Sequence, residues 1–430
     1  MNRPTAVGLH DRKYAWSVGI DWAEQKHDLC QRCWADGQRQ QFQIGADPAS
    51  VRAWLKELKT LAGPQNRVAI GFEQNRGALF ELLRAQKDWL DLYPLNPLTV
   101  SKYREAFFTS GAKDDPIDSQ LIDELVCQHL DRLRLYQPPE PALRELDLLC
   151  QHRRKAVDAA VGFENELRSL LKVYYPLAVE LHDDSLRCTL GLHFLKRWPT
   201  LQSLQKAKPQ TLRSFYYQHH SRSQTLIEAR LQKIALAQAV TEDLSLIKPL
   251  VLSVQGLVNQ LLALQSTIAA FDKAIQELFA KHPDHLIFES LPGAGPQLAP
   301  RLLVAFGSDR SAFGAALEVQ KKSAIAPVVD RSGQSKGVHR RWCRNRFLCQ
   351  TFHEYAAHSI PYSRWAKAYY EELRARGKSH HTALRALAFK WIRIIFRLWQ
   401  DGTTYDEDRF LQALRKRHSP LSQKIPLHIL

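Results

Sequence analysis

Two short apolar runs in this chain each end in an acid. Val18-Gly19-Ile20-Asp21 reads as a buried strand that stops at Asp21, and Val68-Ala69-Ile70-Gly71-Phe72-Glu73 as another that stops at Glu73. A carboxylate at the end of a buried strand costs free energy unless it is paired or holds a cation. A third acidic feature lies in Lys113-Asp114-Asp115-Pro116-Ile117-Asp118-Ser119. Pro116 suits the first turn of a helix, because its fixed φ fits and its missing N–H would be unpaired there anyway. Ile117, Leu121, Ile122, Leu125 and Val126 continue at helical spacing. Asp115 and Asp118 then share one face at a helix start. Such a pair repels unless a cation lies between, and Mg²⁺ is the usual one. Acidic residues also favour a helix N-terminus for electrostatic reasons alone, and that reading stands beside the metal one. Four carboxylates that one fold can gather suit two Mg²⁺ ions. That arrangement activates a nucleophile and stabilises a leaving oxygen in phosphodiester chemistry.

The first hundred residues alternate strand and helix signals. Ser17 to Asp21 is a strand, and Asp28 to Arg39 a hairpin turning at Asp36-Gly37. Ser50 to Leu61 is an amphipathic helix, Val68 to Glu73 a strand, Ala78 to Ala85 a helix, and Trp89 to Leu95 a strand ending at Asn96-Pro97. This order predicts an α/β domain of the RNase H/RuvC type over residues 1–138.

The composition points to a polyanion. Sixty Lys and Arg against 44 Asp and Glu give a net charge of +16 and a pI near 9.5, which suits nucleic acid first and a membrane surface second. No uninterrupted apolar run is long enough to span a bilayer, so no membrane is expected. Met1 to His10 is polar and mixed, which predicts a short disordered arm and no signal peptide. Seven scattered cysteines, an odd number, predict a reducing cytoplasmic setting rather than a disulfide frame. Cys30-x-x-Cys33 has half the spacing of a zinc site, without a second half.

Residues 139–285 read as a helical, coiled-coil region with an insertion. Leu146, Cys150, Val157, Val161, Leu167, Leu171 and Tyr174 recur at helical spacing. Arg153, Arg154, Lys155, Arg168 and Lys172 beside them fit a solvated face or a basic rail along a nucleic-acid backbone equally well. Within the insertion, Phe194, Trp198, Phe215, Tyr216 and Tyr217 alternate with cations; they suit stacking on unpaired bases or an ordinary core. Leu250, Val254, Leu257, Leu261, Leu264, Ile268, Phe271, Ile275 and Leu278 form four heptads of a coiled-coil seam. Its partner is the helix over 143–175 of the same chain or another protomer, so a homo-oligomer (dimer or tetramer) is expected.

Residues 286–408 read as a mostly helical last domain, and 409–430 as a basic tail. Leu291-Pro292-Gly293-Ala294-Gly295-Pro296 is a glycine-rich turn between helices, and the amides at Gly293 and Gly295 suit a phosphate, as in helix-hairpin-helix DNA binders. Arg331-Ser332-Gly333-Gln334-Ser335-Lys336-Gly337 is a polar loop followed by His339, Arg340, Arg341, Arg344 and Arg346. A serine among arginines is usually a plain loop residue. Near a phosphodiester, its hydroxyl can be a nucleophile whose target charge the cations stabilise.

These motifs, in this order, resemble the DEDD transposases of the insertion sequence 110 family, bacterial recombinases guided by a bridge RNA. Gly19-Ile20-Asp21-Trp22-Ala23 with His27 and Asp28, then Phe72-Glu73-Gln74-Asn75-Arg76-Gly77, then Asn96-Pro97 and Lys113 to Asp118, resemble the acidic half. Leu291 to Pro296 with Ala299, Arg331-Ser332-Gly333, Gly377-Lys378, Ala383, Lys390, Gly402 and Tyr405 resemble the C-terminal transposase domain. The family's usual Lys-x-Gly-Asn stretch after the serine reads Trp342-Cys343-Arg344-Asn345 here. The resemblance implies cutting and rejoining of donor and target DNA through a covalent serine–DNA intermediate, with a guide RNA as partner. It implies Ser332 as nucleophile and Asp21, Glu73, Asp115 and Asp118 as Mg²⁺ ligands. Lys336, Arg340, Arg341 and Arg344 are candidate phosphate contacts. On the residues alone, a RuvC-like metal-dependent endonuclease and an inactive nucleic-acid-binding copy remain alternatives.

Overall fold

The computed structural model describes residues 14–73, 76–107, 115–182, 186–332, 335–339, 341, 345–421 and 425. The chain divides into two compact units, Met1–Pro138 and Pro139–Leu430.

The first unit is built on a five-stranded sheet. Its strands are β1 (Tyr14–Asp21), β2 (Lys26–Cys33), β3 (Arg39–Gly45), β4 (Arg67–Phe72) and β5 (Leu90–Pro94), in the order β3-β2-β1-β4-β5. β1, β2 and β3 pair antiparallel, as hairpin-linked strands do, while β4 and β5 run parallel to β1. Helix α1 (Pro48–Ala62) starts on an Asp47 side chain that accepts from the Ala49 and Ser50 amides. Its face of Val51, Trp54, Leu55 and Leu58 packs with α2 (Ala78–Arg84) against Val18, Ile20, Val68 and Ile70 of the sheet. α3 (Pro97–Phe107) was not anticipated from the sequence. With α4 (Asp115–His129) it serves the other face, where Val100, Ile122 and Leu125 share a small core with Leu95. Alternation along the strands separates the two faces.

α4 approaches the sheet at two glycines. A β-carbon on Gly19 of β1 would collide with the Ser119 carbonyl and the Asp123 amide nitrogen, and one on Gly71 of β4 with Val126 and Ile122 side chains. The missing side chains let the helix lie across both strands.

In the second unit two long helices, α5 (Pro141–Tyr174) and α11 (Leu244–Phe279), pack along each other and hold a hydrophobic core at each end. Between them in sequence stand five shorter helices: α6 (Pro176–Leu181), α7 (Thr189–Arg197), α8 (Leu201–Gln205), α9 (Pro209–Gln218) and α10 (Gln224–Leu236). Their core takes Phe194, Trp198, Phe215 and Tyr216, together with Val254, Leu257 and Leu261 of α11. Four of the five aromatic residues with a possible stacking role are therefore core residues, and only Tyr217 is exposed. The apolar seam of α11 packs within the chain: Leu250 to Ile268 join this core, and Phe271, Ile275 and Leu278 the other. By length and composition α11 also passes for a membrane-crossing helix. Its buried residues Val254, Leu257, Val258, Leu261, Ile275 and Phe279 join the two cores of this unit.

The other core gathers α12 (His285–Glu289), α13 (Gly295–Phe306), α14 (Ala316–Lys322), α15 (Arg346–Ser359), α16 (Arg364–Ala375), α17 (His380–Asp401) and α18 (Glu407–Lys416). α17 buries Leu384, Leu387, Trp391, Ile395 and Trp399, and ends at Gly402 in the left-handed conformation. One sequence expectation is corrected here. Within the stretch 331–337, read as a loop, the described residues lie on two antiparallel strands, β6 (Val328–Ser332) and β7 (Ser335–His339), with Ser332 opposite Ser335. At the start of the basic tail, α18 carries Arg415 and Lys416 in its last turn and buries Leu411, while Leu421 and Ile425 join the same core.

Candidate active site

The carboxyl ends of the parallel strands open into a cleft of about 340 Å³, lined by Asp21, Trp22, Ala23, Asp28, Glu73, Pro97, Ser101, Arg104 and Asp118. Ligands in sheets with parallel strands favour such strand ends. Asp21 is the last residue of β1 and Glu73 the first beyond β4. Asp28 stands opposite Asp21 in the β1–β2 register and is buried; the Gln43 side chain donates to its Oδ1 at 2.7 Å. Asp118 is buried on the first turns of α4.

The structure thus brings Asp21, Glu73 and Asp118 to one cleft. The side chain of Asp115 lies outside the described residues, as do those of Ser332, Lys336, Arg340 and Arg344. Arg341 is half-buried beyond the hairpin, and its Nε has no hydrogen-bond partner among the described residues. Gly293 and Gly295 lie on the turn into α13 with φ of 74° and 54°, a conformation that favours glycine.

Sequence reasoning missed two residues of the first-unit site. Arg104 of α3 makes an ion pair with Asp118 inside the cleft. Its position was not legible because α3 lies past the Asn96-Pro97 stop and has little apolar periodicity, with Val100 alone buried. Asp123, one turn beyond Asp118, is wholly buried beneath β1 and β2. It accepts from Ser17 Oγ at 2.5 Å and Arg32 Nε at 2.7 Å. Burial raises its pKa, and those two donors oppose the rise. The Arg32–Asp123 pair ties α4 to the hairpin and keeps Asp118 above the strand ends.

The donors of the cleft are hard carboxylate oxygens, which suit Mg²⁺, Mn²⁺ or Ca²⁺ rather than a soft metal. Among the described residues no three His, Cys, Asp or Glu side chains stand close enough to hold a metal ion as they are. The Arg104 guanidinium supplies the positive charge beside Asp118. Cys30 is buried in β2, where burial pushes its thiol up to about 12.

Of the basic residues on α5, three are already matched by acids. Arg153 pairs with Asp272, Arg154 with Asp158 and Glu354, and Arg168 with Glu164.

Comparison with known proteins joins the two halves of the chain. Residues 18–176 match a family model described as "Transposase", of the DEDD IS110 type, and residues 285–371 one described as "Transposase IS116/IS110/IS902 family". The chain is 27% identical over 411 residues to the "Mini-circle putative transposase for IS117" of Streptomyces coelicolor, covering 92% of this chain and 96% of the relative. It is 27% identical to the "Insertion element IS110 uncharacterized 43.6 kDa protein" of the same organism, over 70% of this chain and 73% of the relative. It is 26% identical to the "Insertion element IS900 uncharacterized 42 kDa protein" of Mycobacterium paratuberculosis, over 90% and 96%. The acidic cleft falls in the first matched segment and the serine hairpin in the second; the chain belongs to the IS110 family of transposases and is a DNA transposase of an insertion element.

Proposed function

We propose that this transposase cuts and rejoins DNA through a covalent serine–DNA link, with Ser332 as nucleophile and Asp21, Glu73, Asp115 and Asp118 as the holders of Mg²⁺. The observation that carries the reading is the convergence of Asp21, Glu73 and Asp118, distant in sequence, on one cleft. The strand order β3-β2-β1-β4-β5, with β2 antiparallel to β1, supports an RNase H/RuvC-like fold for the first unit. Acids at the ends of β1 and β4 and on a helix across them are what metal-dependent phosphodiester chemistry needs.

In the transfer, the Ser332 hydroxyl loses its proton as its Oγ forms a bond to phosphorus, and the P–O3′ bond breaks. The departing oxygen gains a proton and becomes a 3′ hydroxyl. Attack by another 3′ hydroxyl on the phosphoserine reverses these changes. One phosphoester is exchanged for another, so no external energy source is needed. Bound Mg²⁺ would supply charge stabilisation at the attacked phosphate. Asp21, Glu73, Asp115 and Asp118 would hold the ion, with Asp118 released from Arg104 to do so. Lys336, Arg340, Arg341 and Arg344, clustered in sequence around the hairpin, bind phosphate oxygens.

The net charge of +16 supports backbone contact with both DNA and a guide RNA, with base pairing choosing the sequence. The protein acts as a homo-oligomer in this reading. The deciding experiment supplies donor DNA, target DNA, the element's structured RNA and Mg²⁺ to wild type, Ser332→Ala and Ser335→Ala. Loss of recombinant product in Ser332→Ala alone supports the assignment. Product from Ser332→Ala, or hydrolysed ends without joining in wild type, refutes it.

A further inference from the structure

A second cleft, of about 770 Å³, lies within the second unit where α5 and α11 meet the turn into α13. Four arginines line it: Arg153, Arg154, Arg187 and Arg301. Two carboxylates, Asp272 and Glu354, line it with them. Glu354 serves two guanidiniums at once, accepting from Arg154 Nη1 at 3.0 Å and from Arg301 Nη1 at 2.6 Å. Among the lining side chains the cations outnumber the anions, although Arg153 is paired with Asp272, and Arg154 and Arg187 also pair with Asp158 and Glu164 outside the lining.

Arg301 is the unusual member. It is 5% exposed, its Nε donates to Thr351 Oγ1 at 3.0 Å, and its guanidinium lies 5.1 Å from the Phe347 ring centre. Its Nη2 is buried with no partner among the described residues. A buried cation with an unused donor costs free energy that a second anion would recover. The other wall is the start of α13, twelve residues long, whose N-cap Ala294 provides no side-chain acceptor. The positive end of the helix faces the cleft without a capping oxygen. At Gly293 a β-carbon would strike the His358 carbonyl, whereas one at Gly295 would meet nothing within 4 Å. The turn is thus held tightly on one side and open on the other.

We propose that this cleft seats a backbone phosphate of a nucleic acid on Arg153, Arg187 and Arg301 and the first turn of α13. The inference rests on the reading that the protein grips nucleic-acid backbone, and deepens it by placing a grip in the second unit. A phosphate offers three or more acceptor lone pairs and a charge that Glu354, shared between two arginines, does not fully supply. Arg187 is the accessible member: its side chain is 39% exposed, and among the described residues its ion pair is a loose one to Glu164, at 3.4 Å.

The test is equilibrium binding of the full chain in EDTA, where no chemistry occurs. The probes are a labelled duplex DNA and a labelled stem-loop RNA of arbitrary sequence, each titrated over a series of KCl concentrations. Arg187→Gln and Arg153→Gln are expected each to weaken binding several-fold and to lower the salt slope by about one, in whichever arm carries the occupant. The arm that responds identifies DNA or RNA as the source of the phosphate. Unchanged affinity and slope in both arms for folded Arg187→Gln overturns the proposal, whatever happens to Arg153→Gln. The serine assignment is read from recombinant product and the phosphate site from affinity and salt slope in EDTA, where no chemistry occurs. A failed serine assignment and a failed phosphate site therefore give different results.

Discussion

Gly19 and Asp123 touch through the backbone: a β-carbon on the glycine would collide with the amide nitrogen of the aspartate. This contact sets the distance between α4 and β1. Asp118 sits five residues before Asp123 on the same helix and overhangs the strand end that carries Asp21. Gly19→Ala should therefore overpack the sheet–helix interface and destabilise the first unit by about 1–3 kcal/mol. Thermal unfolding checks the stability. Strand cleavage, measured where the variant is still folded, should fall further than stability alone predicts, because Asp118 is displaced.

Arg32 neutralises a carboxylate that has no water around it. Arg32→Leu leaves Asp123 buried with only Ser17 as donor, which should cost about 3–5 kcal/mol in urea unfolding. Adding Asp123→Leu should recover much of that loss, since the uncompensated charge is then gone. A double mutant as unstable as the single one would mean that the pair matters through packing.

Arg104 holds Asp118 in the form seen here, and a divalent ion has to compete with it. Arg104→Gln should bind Mn²⁺, used as a probe, several-fold more tightly than wild type in calorimetric titration without DNA. Asp118→Asn in the same background should abolish the gain. Equal affinity in Arg104→Gln and wild type would show that the guanidinium does not occupy the ion's place.

His182 gives the second unit an acid-sensitive core. It is buried against Phe194 and Tyr216, and burial, with a smaller effect of Arg230, pushes its pKa from 6.5 to about 3. The unfolded chain takes up the proton first, so its contribution is complete above about pH 6.5 and falls as the pH drops toward 3. Between about pH 7 and pH 5 the loss is about 2 kcal/mol. His182→Phe should flatten this part of the stability profile in urea unfolding followed at both pH values. An unchanged slope would assign the acid sensitivity to other groups.

The strands and most helices of the first unit were legible because their apolar residues form short runs or recur at helical spacing, and Asp36-Gly37 and Asn96-Pro97 punctuate them. The acids at the strand ends were legible because carboxylates seldom finish buried strands without a reason. α3 and Arg104 were not, since only one residue of that helix is buried and periodicity had nothing to register. Asp123 escaped notice for a different cause. It lies among Leu121, Ile122, Leu125 and Val126, and only the folded sheet shows that Ser17 and Arg32 meet it there. The aromatic–basic mixture of residues 194–217 was ambiguous in sequence because aromatic rings serve cores and bases alike; packing decided for the core. The serine hairpin read as a loop because its short strands are polar and carry no alternating apolar face.

The most direct measurement is the chemical state of Ser332 after reaction. Wild-type protein incubated with donor DNA, guide RNA and Mg²⁺, then denatured and digested, should yield a peptide with nucleotide esterified to Ser332 in mass spectrometry. That adduct should vanish with Asp118→Ala or EDTA. Cleaved DNA with no protein-bound nucleotide, or an adduct on a residue other than Ser332, would contradict the account.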